Sequence, residues 1–312
     1  MGLKILITGG TGLLGRSLCT KLLQAGHDPV VLSRDAAAAR GRLPSGVQLI
    51  QWQPGVERVP LAALEGVEAV INLAGENIGA GRWTASRKQL IMQSRLGVTR
   101  ALTESFQKLN QRPRVFISGS AIGYYGPHGD EELTEASPPG HDFLAEVCQA
   151  WEQEANRARE LGVRVVTIRT GIVLAREGGT LPRMVTPFRL FLGGPLGSGR
   201  QWVSWIHIAD AIGIIKLALE HTTVAGPLNL TVPRPVRMEE FASVLGRVLK
   251  RPSSLRVPAW VLKMALGEMA DLLLTGQRVL PARALQEGYQ FRYPELAGAL
   301  EDLLILTSRS GE

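Results

Sequence analysis

Lys4-Ile5-Leu6-Ile7-Thr8-Gly9-Gly10-Thr11-Gly12-Leu13-Leu14-Gly15 decides the fold. A short apolar run of strand type stops at a glycine cluster, and a helical pattern carrying Leu14, Leu18, Leu22 and Leu23 follows at once, ending at Gly26. The order is strand, tight turn, helix. Glycines at 9, 12 and 15 let the backbone turn sharply, approach a pyrophosphate and pack the helix on its strand, while free N–H groups of the first helical turn face the phosphate charge. A glycine pattern alone is weak evidence. With a strand before it and a helix behind it, the stretch Thr8, Gly9, Gly10, Thr11, Gly12, Leu13, Leu14, Gly15 points to a dinucleotide site.

Working outward, residues 29–32 form a second apolar run that ends in Ser33-Arg34. In a dinucleotide site this position meets the adenosine ribose. A carboxylate there accepts from the 2′-hydroxyl of NAD, whereas arginine pairs with the 2′-phosphate of NADP. Ser33 and Arg34 therefore predict NADP(H). Residues 47–52 alternate as a third strand, and 69–75 form a fourth that ends in Leu73-Ala74-Gly75, small enough at its tip for close approach to a ligand. A helical segment over 85–109 carries Arg95, and 115–118 is a fifth strand running into a hydroxyl-rich loop with Ser118, Ser120, Tyr124 and Tyr125. Strands alternating with helices predict an α/β fold of Rossmann type, a doubly wound parallel sheet, with ligands beyond the carboxyl ends of the strands.

Composition sets the outer bounds. The 312 residues are 45% hydrophobic, enough for a large core. No apolar run reaches membrane-spanning length, and the first strand begins so early that no leader precedes it, so the expectation is a cytoplasmic chain without membrane contact. Cys19 and Cys148 read as reduced core residues, and the five histidines show no metal-ligand spacing. The net charge of +7 raises nucleic acid as a partner, but the 28 arginines and 7 lysines are scattered rather than striped, so none is expected. A small anionic ligand accounts for a few placed arginines equally well.

The chain resembles the extended, or atypical, short-chain dehydrogenases/reductases, and within them the "epimerase family protein" branch similar to nucleotide-sugar epimerases. The resemblance rests on the glycine-rich start, Asn72-Leu73-Ala74-Gly75-Glu76-Asn77, Ser118-Gly119-Ser120-Ala121, Tyr124-Tyr125-Gly126, Arg169-Thr170-Gly171-Ile172-Val173-Leu174, Gly193 to Gly199 and Trp205-Ile206-His207-Ile208-Ala209-Asp210. The tail resembles that branch's small C-terminal domain of unknown function. By position, the resemblance implies Gly9, Gly12 and Gly15 at the pyrophosphate, Ser33-Arg34 at the 2′-phosphate, Leu73 and Ala74 along the dinucleotide, and Arg95 within reach of the cofactor. Trp52 stands where relatives place an acidic residue for the adenine, with stacking as a substitute.

The resemblance also exposes a gap. Such enzymes pair a Ser or Thr with a Tyr-x-x-x-Lys, whose lysine lowers the phenol pKa and binds the nicotinamide ribose. Ser120 matches the first element. Aligning Glu152 with the glutamate that follows the motif puts Leu144 at the tyrosine and Cys148 at the lysine, and no Tyr-x-x-x-Lys occurs anywhere. Tyr124 and Tyr125 are the candidate replacements; His141 and Asp142 are weaker ones, Asp142 being more simply an N-cap.

Residues 163–169 read as a sixth strand, after which 182–200, rich in Gly and Pro, reads as a loop over a ligand, with Arg183 and Arg200 able to grip an anionic or oxygen-rich substrate. Asp210 suits a helix first turn, and His207 a loop bond. The expected division is an NADP-binding domain over 1–175, with sheet elements also from 203–232, and a substrate lobe and C-terminal domain over 176–202 and 233–312. Apolar helices over 259–274 would pack on the lobe or on a second subunit, which allows a homodimer. The predicted function is an NADP(H)-binding oxidoreductase or epimerase-like protein acting on a small molecule; the alternative is a sensor that keeps the fold and has lost the chemistry.

Overall fold

The computed structural model describes residues 2–305. Seven strands form one parallel sheet: β1 (Lys4–Thr8), β2 (Asp28–Ser33), β3 (Gln48–Gln51), β4 (Ala69–Asn72), β5 (Val115–Ala121), β6 (Arg164–Thr170) and β7 (Gly226–Leu230), in the order β3-β2-β1-β4-β5-β6-β7. Strand order reverses between β1 and β4, and this opens a crevice at their carboxyl ends.

Side chains alternate across β1, so Ile5 and Ile7 enter one core while Leu6 enters the other. A strand buried on both faces needs an unbroken apolar run, which is why Ile5-Leu6-Ile7 contains no polar residue. The helix α1 (Leu13–Gln24) covers the first face with Leu18 and Leu22. On the second face lies α2 (Ala85–Phe106), through Val98, Leu102 and Phe106, with α3 (Phe143–Asn156) alongside it.

Beyond β6, three further helices matter to the site: α4 (Leu181–Arg189), α5 (Ile208–Glu220) and α6 (Met238–Leu249). The helix α4 corrects the expectation of a loop. Pro182 occupies the first turn, where no N–H is needed, and Pro187 lies in the last turn. Leu181, Val185 and Phe188 then bury one stripe, each contributing about 1.5–3 kcal/mol. The C-terminal region contains α7 (Ala259–Leu266) and α8 (Leu296–Leu304). No helix among the described residues is long and apolar enough to cross a membrane.

Asp210 ties this C-terminal region to the sheet domain. Its carboxylate is fully buried and accepts hydrogen bonds from the Arg292 and Tyr293 N–H groups at 2.8 and 2.9 Å and from the Tyr289 hydroxyl at 3.1 Å. The role expected for it, a favourable charge in the first turn of α5, is secondary to this clamp. His207 caps the same helix, its Nδ1 accepting from the Ala209 N–H at 3.1 Å.

Candidate functional site

The glycine loop crosses the crevice between β1 and β4. Gly9 has φ +70°, and a Cβ there would lie 2.6 Å from the Leu73 carbonyl carbon, so only glycine lets the two strand ends close together. Gly15 is equally constrained, since a Cβ would meet Gly9 O at 2.4 Å. Gly12 differs: it is exposed, a Cβ there would meet only Gly9 O at 3.2 Å, and it begins α1 without a side-chain cap. An uncapped helix N-terminus beside an open glycine is an anion cradle, and the residues present fit a pyrophosphate.

A buried polar knot sets this geometry from below. The Thr8 hydroxyl donates to Asn72 Oδ1 at 2.6 Å, Asn72 Nδ2 donates to Thr99 Oγ1 at 2.9 Å, and the Trp151 indole N–H donates to the same hydroxyl at 2.9 Å. Thr8 and Ser118 are 1% and 0% exposed, so their side chains frame the crevice rather than line it.

At the end of β2, Ser33 Oγ closes a local turn by donating to Asp35 O at 3.0 Å. The Asp35 carboxylate accepts from the Ala38 N–H at 2.9 Å and caps the short helix behind it. Arg34 is exposed and has no hydrogen bond or ion pair among the described residues. The arrangement leaves a free cation, with the neighbouring carboxylate engaged elsewhere.

Trp52 does not offer a ring to stack on. It is 2% exposed, packed in the core among Val30, Leu32 and Val59, with its indole N–H donated to Glu57 O at 3.1 Å. Arg95 is half-buried and donates to the Ile91 and Glu76 carbonyls; its guanidinium would lie 3.2 Å from a Cβ at Gly75, directly behind the tip of β4. Burial lowers its pKa from the usual arginine value.

At the end of β5 the Ser120 hydroxyl donates to Glu152 Oε1 at 2.7 Å. Arg169 grips the same carboxylate with Nε and Nη2, at 2.8 and 2.9 Å, and its Nη1 donates to the Tyr125 hydroxyl at 3.1 Å. Tyr125 in turn donates to Asn229 Oδ1 at 2.7 Å. Tyr125 and Asn229 have no exposed surface, and burial pushes the Tyr125 phenol up to about 12 despite Arg169. That placement corrects the expectation for Tyr125: both sides of its hydroxyl are engaged, which leaves it no path for a proton to a ligand. Tyr124 is half-buried, with the Arg169 guanidinium 3.4 Å from its ring centre.

Leu144 and Cys148 stand against this loop, since a Cβ at Gly123 would meet Leu144 Cβ at 3.2 Å and Cys148 Sγ at 3.9 Å. Burial pushes the Cys148 thiol up to about 11, so it stays neutral and cannot replace a lysine. Asp142 is the N-cap of α3, accepting from Ala145 N at 2.9 Å. Arg183 reaches Gly79 O at 3.4 Å, beside the loop that follows β4. Arg200 is exposed, its carbonyl accepting from Arg237. Arg183 and Arg200 share no hydrogen-bond partner among the described residues.

Neither Arg169 nor Glu152 is a functional residue by motif, but both carry a signal: Arg169 is a charge inside the apolar run of β6, and Glu152 follows Trp151 on the buried face of α3. A charge at a buried strand position calls for a partner.

Comparisons with known proteins agree with this geometry. Residues 5–230 match the NAD dependent epimerase/dehydratase family, and 257–303 match a domain of unknown function, DUF1731. Epimerase family protein YfhF of Bacillus subtilis (strain 168) is 39% identical over 303 residues, covering 97% of this chain and 98% of that protein. The chloroplastic epimerase family protein SDR39U1 homolog of Arabidopsis thaliana is 41% identical over 304 residues, covering 96% and 86%. The crystal structure of human epimerase family protein SDR39U1 (isoform 2) with NADPH superimposes with a TM-score of 0.86 at 35% identity, covering 96% of this chain and 99% of that one. A parallel sheet with a glycine loop at its switch point, matched from β1 to β7 and followed by the DUF1731 region, places the chain in the NAD dependent epimerase/dehydratase family.

Proposed function

We propose that the chain binds NADP(H) and acts as an oxidoreductase or epimerase-like protein on a small molecule. The carrying observation is Arg34, exposed and unpaired at the end of β2 while Asp35 caps a helix. In the proposed complex Arg34 pairs with the 2′-phosphate, the first turn of α1 with the pyrophosphate, and Leu73, Ala74 and Gly75 line the dinucleotide, with Arg95 behind them. The human relative with NADPH supports this choice of cofactor. Residues 1–175 with the strands of 203–232 form the cofactor domain in this reading, and 176–202 with 233–312 supply the substrate side, including Arg183 and Arg200. Two free, buried cysteines suit a reducing, cytoplasmic setting.

The cofactor supplies hydride exchange at nicotinamide C4. Ser120, whose proton goes to Glu152, accepts from a substrate hydroxyl and turns away from Glu152 to donate to a carbonyl oxygen, and Tyr124 is the residue left to move the substrate's proton, since Tyr125 is enclosed. The second reading, a binding protein without chemistry, draws on Leu144 and Cys148, which the family resemblance aligns with the usual acid/base pair and which pack against Gly123. NADPH deuterated at C4 on one face or the other, incubated with the protein and a small-molecule extract, separates the readings. The enzyme reading expects a metabolite that gains deuterium only when protein is present. Absence of any labelled product, together with unchanged isotopic composition at C4 of the recovered cofactor, favours the second.

A further inference from the structure

Most arginines among the described residues have a partner, but four that have none line one groove beside α1. Two adjoining cavities of about 440 and 380 Å³ share Arg176, Glu177 and Leu303. The larger is walled by Arg16 and Arg42, the smaller by Arg189. None of these four guanidinium groups has a hydrogen bond or ion pair among the described residues. Glu177 is the one carboxylate lining either cavity, and it pairs with none of them.

The groove runs along the side of α1 that turns away from the sheet. Leu13, Arg16, Ser17 and Thr20 of its wall form one stripe of α1, opposite the Gly15, Leu18, Cys19 and Leu22 stripe that faces the sheet. From Leu13, in the first turn, to Thr20 the stripe runs roughly 10 Å along the helix. Its opposite walls are the chain after Leu174 and α4, and the floor is apolar: Ile208, Leu181, Val185 and Leu303. Four unpaired guanidinium groups along one groove, three of them exposed, give it a positive potential that draws an anion. Guanidinium groups suit phosphate oxygens, and the leucine and valine floor suits an apolar body.

We infer that this groove is a second ligand site, for a small molecule that joins a phosphate group to an apolar chain, and that it is filled independently of NADP(H). The groove adjoins the first turn of α1 and is built largely from the 176–202 segment, but none of Arg34, Ser120, Tyr124, Arg183 and Arg200 lines it.

The test uses hexyl phosphate and inorganic phosphate as probes, titrated calorimetrically into protein already saturated with NADPH. Hexyl phosphate is expected to bind at least tenfold more tightly than inorganic phosphate, and a double variant, Arg42→Ala with Arg176→Ala, to lose at least tenfold in hexyl phosphate affinity while keeping its NADPH affinity. The Arg34→Ala variant is expected to keep hexyl phosphate binding, which separates failure here from failure of the cofactor reading. Both substitutions in the double variant remove unpaired side chains, and a thermal melt matching the parent confirms its fold. Displacement of hexyl phosphate by NADPH, equal affinity for the two probes, or unchanged binding in the double variant would overturn the inference. Should the double variant melt early, Arg42→Gln with Arg176→Gln replaces it under the same criteria.

Discussion

Arg169 closes on Glu152 through two parallel hydrogen bonds, Nε to Oε1 at 2.8 Å and Nη2 to Oε2 at 2.9 Å, with both residues under 10% exposed. Burial opposes the charge on Arg169, but the bonds to Glu152 outweigh it and raise the arginine pKa. The pair carries Ser120 on one side and Tyr125 on the other, so the geometry of the β5 loop depends on a contact between β6 and α3.

Arg169→Ala leaves Glu152 as a buried charge without its cation. The expected cost is about 3–5 kcal/mol in unfolding free energy, read by chemical denaturation. A loss under about 1 kcal/mol would show that the loop is held by packing alone.

Asp210 collects two backbone N–H groups and the Tyr289 hydroxyl from the C-terminal region. With Asp210→Ala these donors lose their partner, at about 2–4 kcal/mol in total. Limited proteolysis is expected to cleave near 289–293 well before the rest of the chain. Cleavage spread evenly along the chain would contradict the clamp.

His207 gives the fold an acid-sensitive joint. The ring is 3% exposed, stacked 3.9 Å from Tyr293, with Nε2 at 3.3 Å from Asp302 Oδ2. Burial lowers its pKa below 6.5, against the opposing pull of Asp302 and Asp210. The native form is therefore neutral, and on acidification the unfolded chain takes up the proton first. Stability complete above pH 6.5 is lost as the pH falls through that value toward the depressed folded pKa. His207→Asn keeps an acceptor for the Ala209 N–H and removes the titration. Its denaturation midpoint should vary less between pH 6.5 and about 5 than that of the parent, and equal slopes would refute the assignment.

What could be read from the sequence follows from range. Ile5-Leu6-Ile7, the glycines after it and the leucine spacing of α1 are local signals, and each states its element within a dozen residues. The helix α4 was hidden because Pro182 and Pro187 outweighed the Leu181, Val185, Phe188 stripe in a nine-residue segment. Trp52 follows directly on the end of β3, at the carboxyl edge where a ligand is expected, but its side chain turns into the core. Ser120 was found by motif, but its partner Glu152 is 32 residues away and Asn229 is 104 residues from Tyr125. Such pairings are made by the sheet order, and no spacing in the chain announces them.

The central claim is that Arg34 reads the 2′-phosphate, and the most direct test is the affinity of parent and Arg34→Ala protein for NADPH and NADH. Loss of a charge-assisted contact of about 1.5–3 kcal/mol corresponds to roughly a 10- to 100-fold weaker Kd for NADPH, with NADH changed by no more than about twofold. Equal losses for the two cofactors, or none for either, would contradict the account.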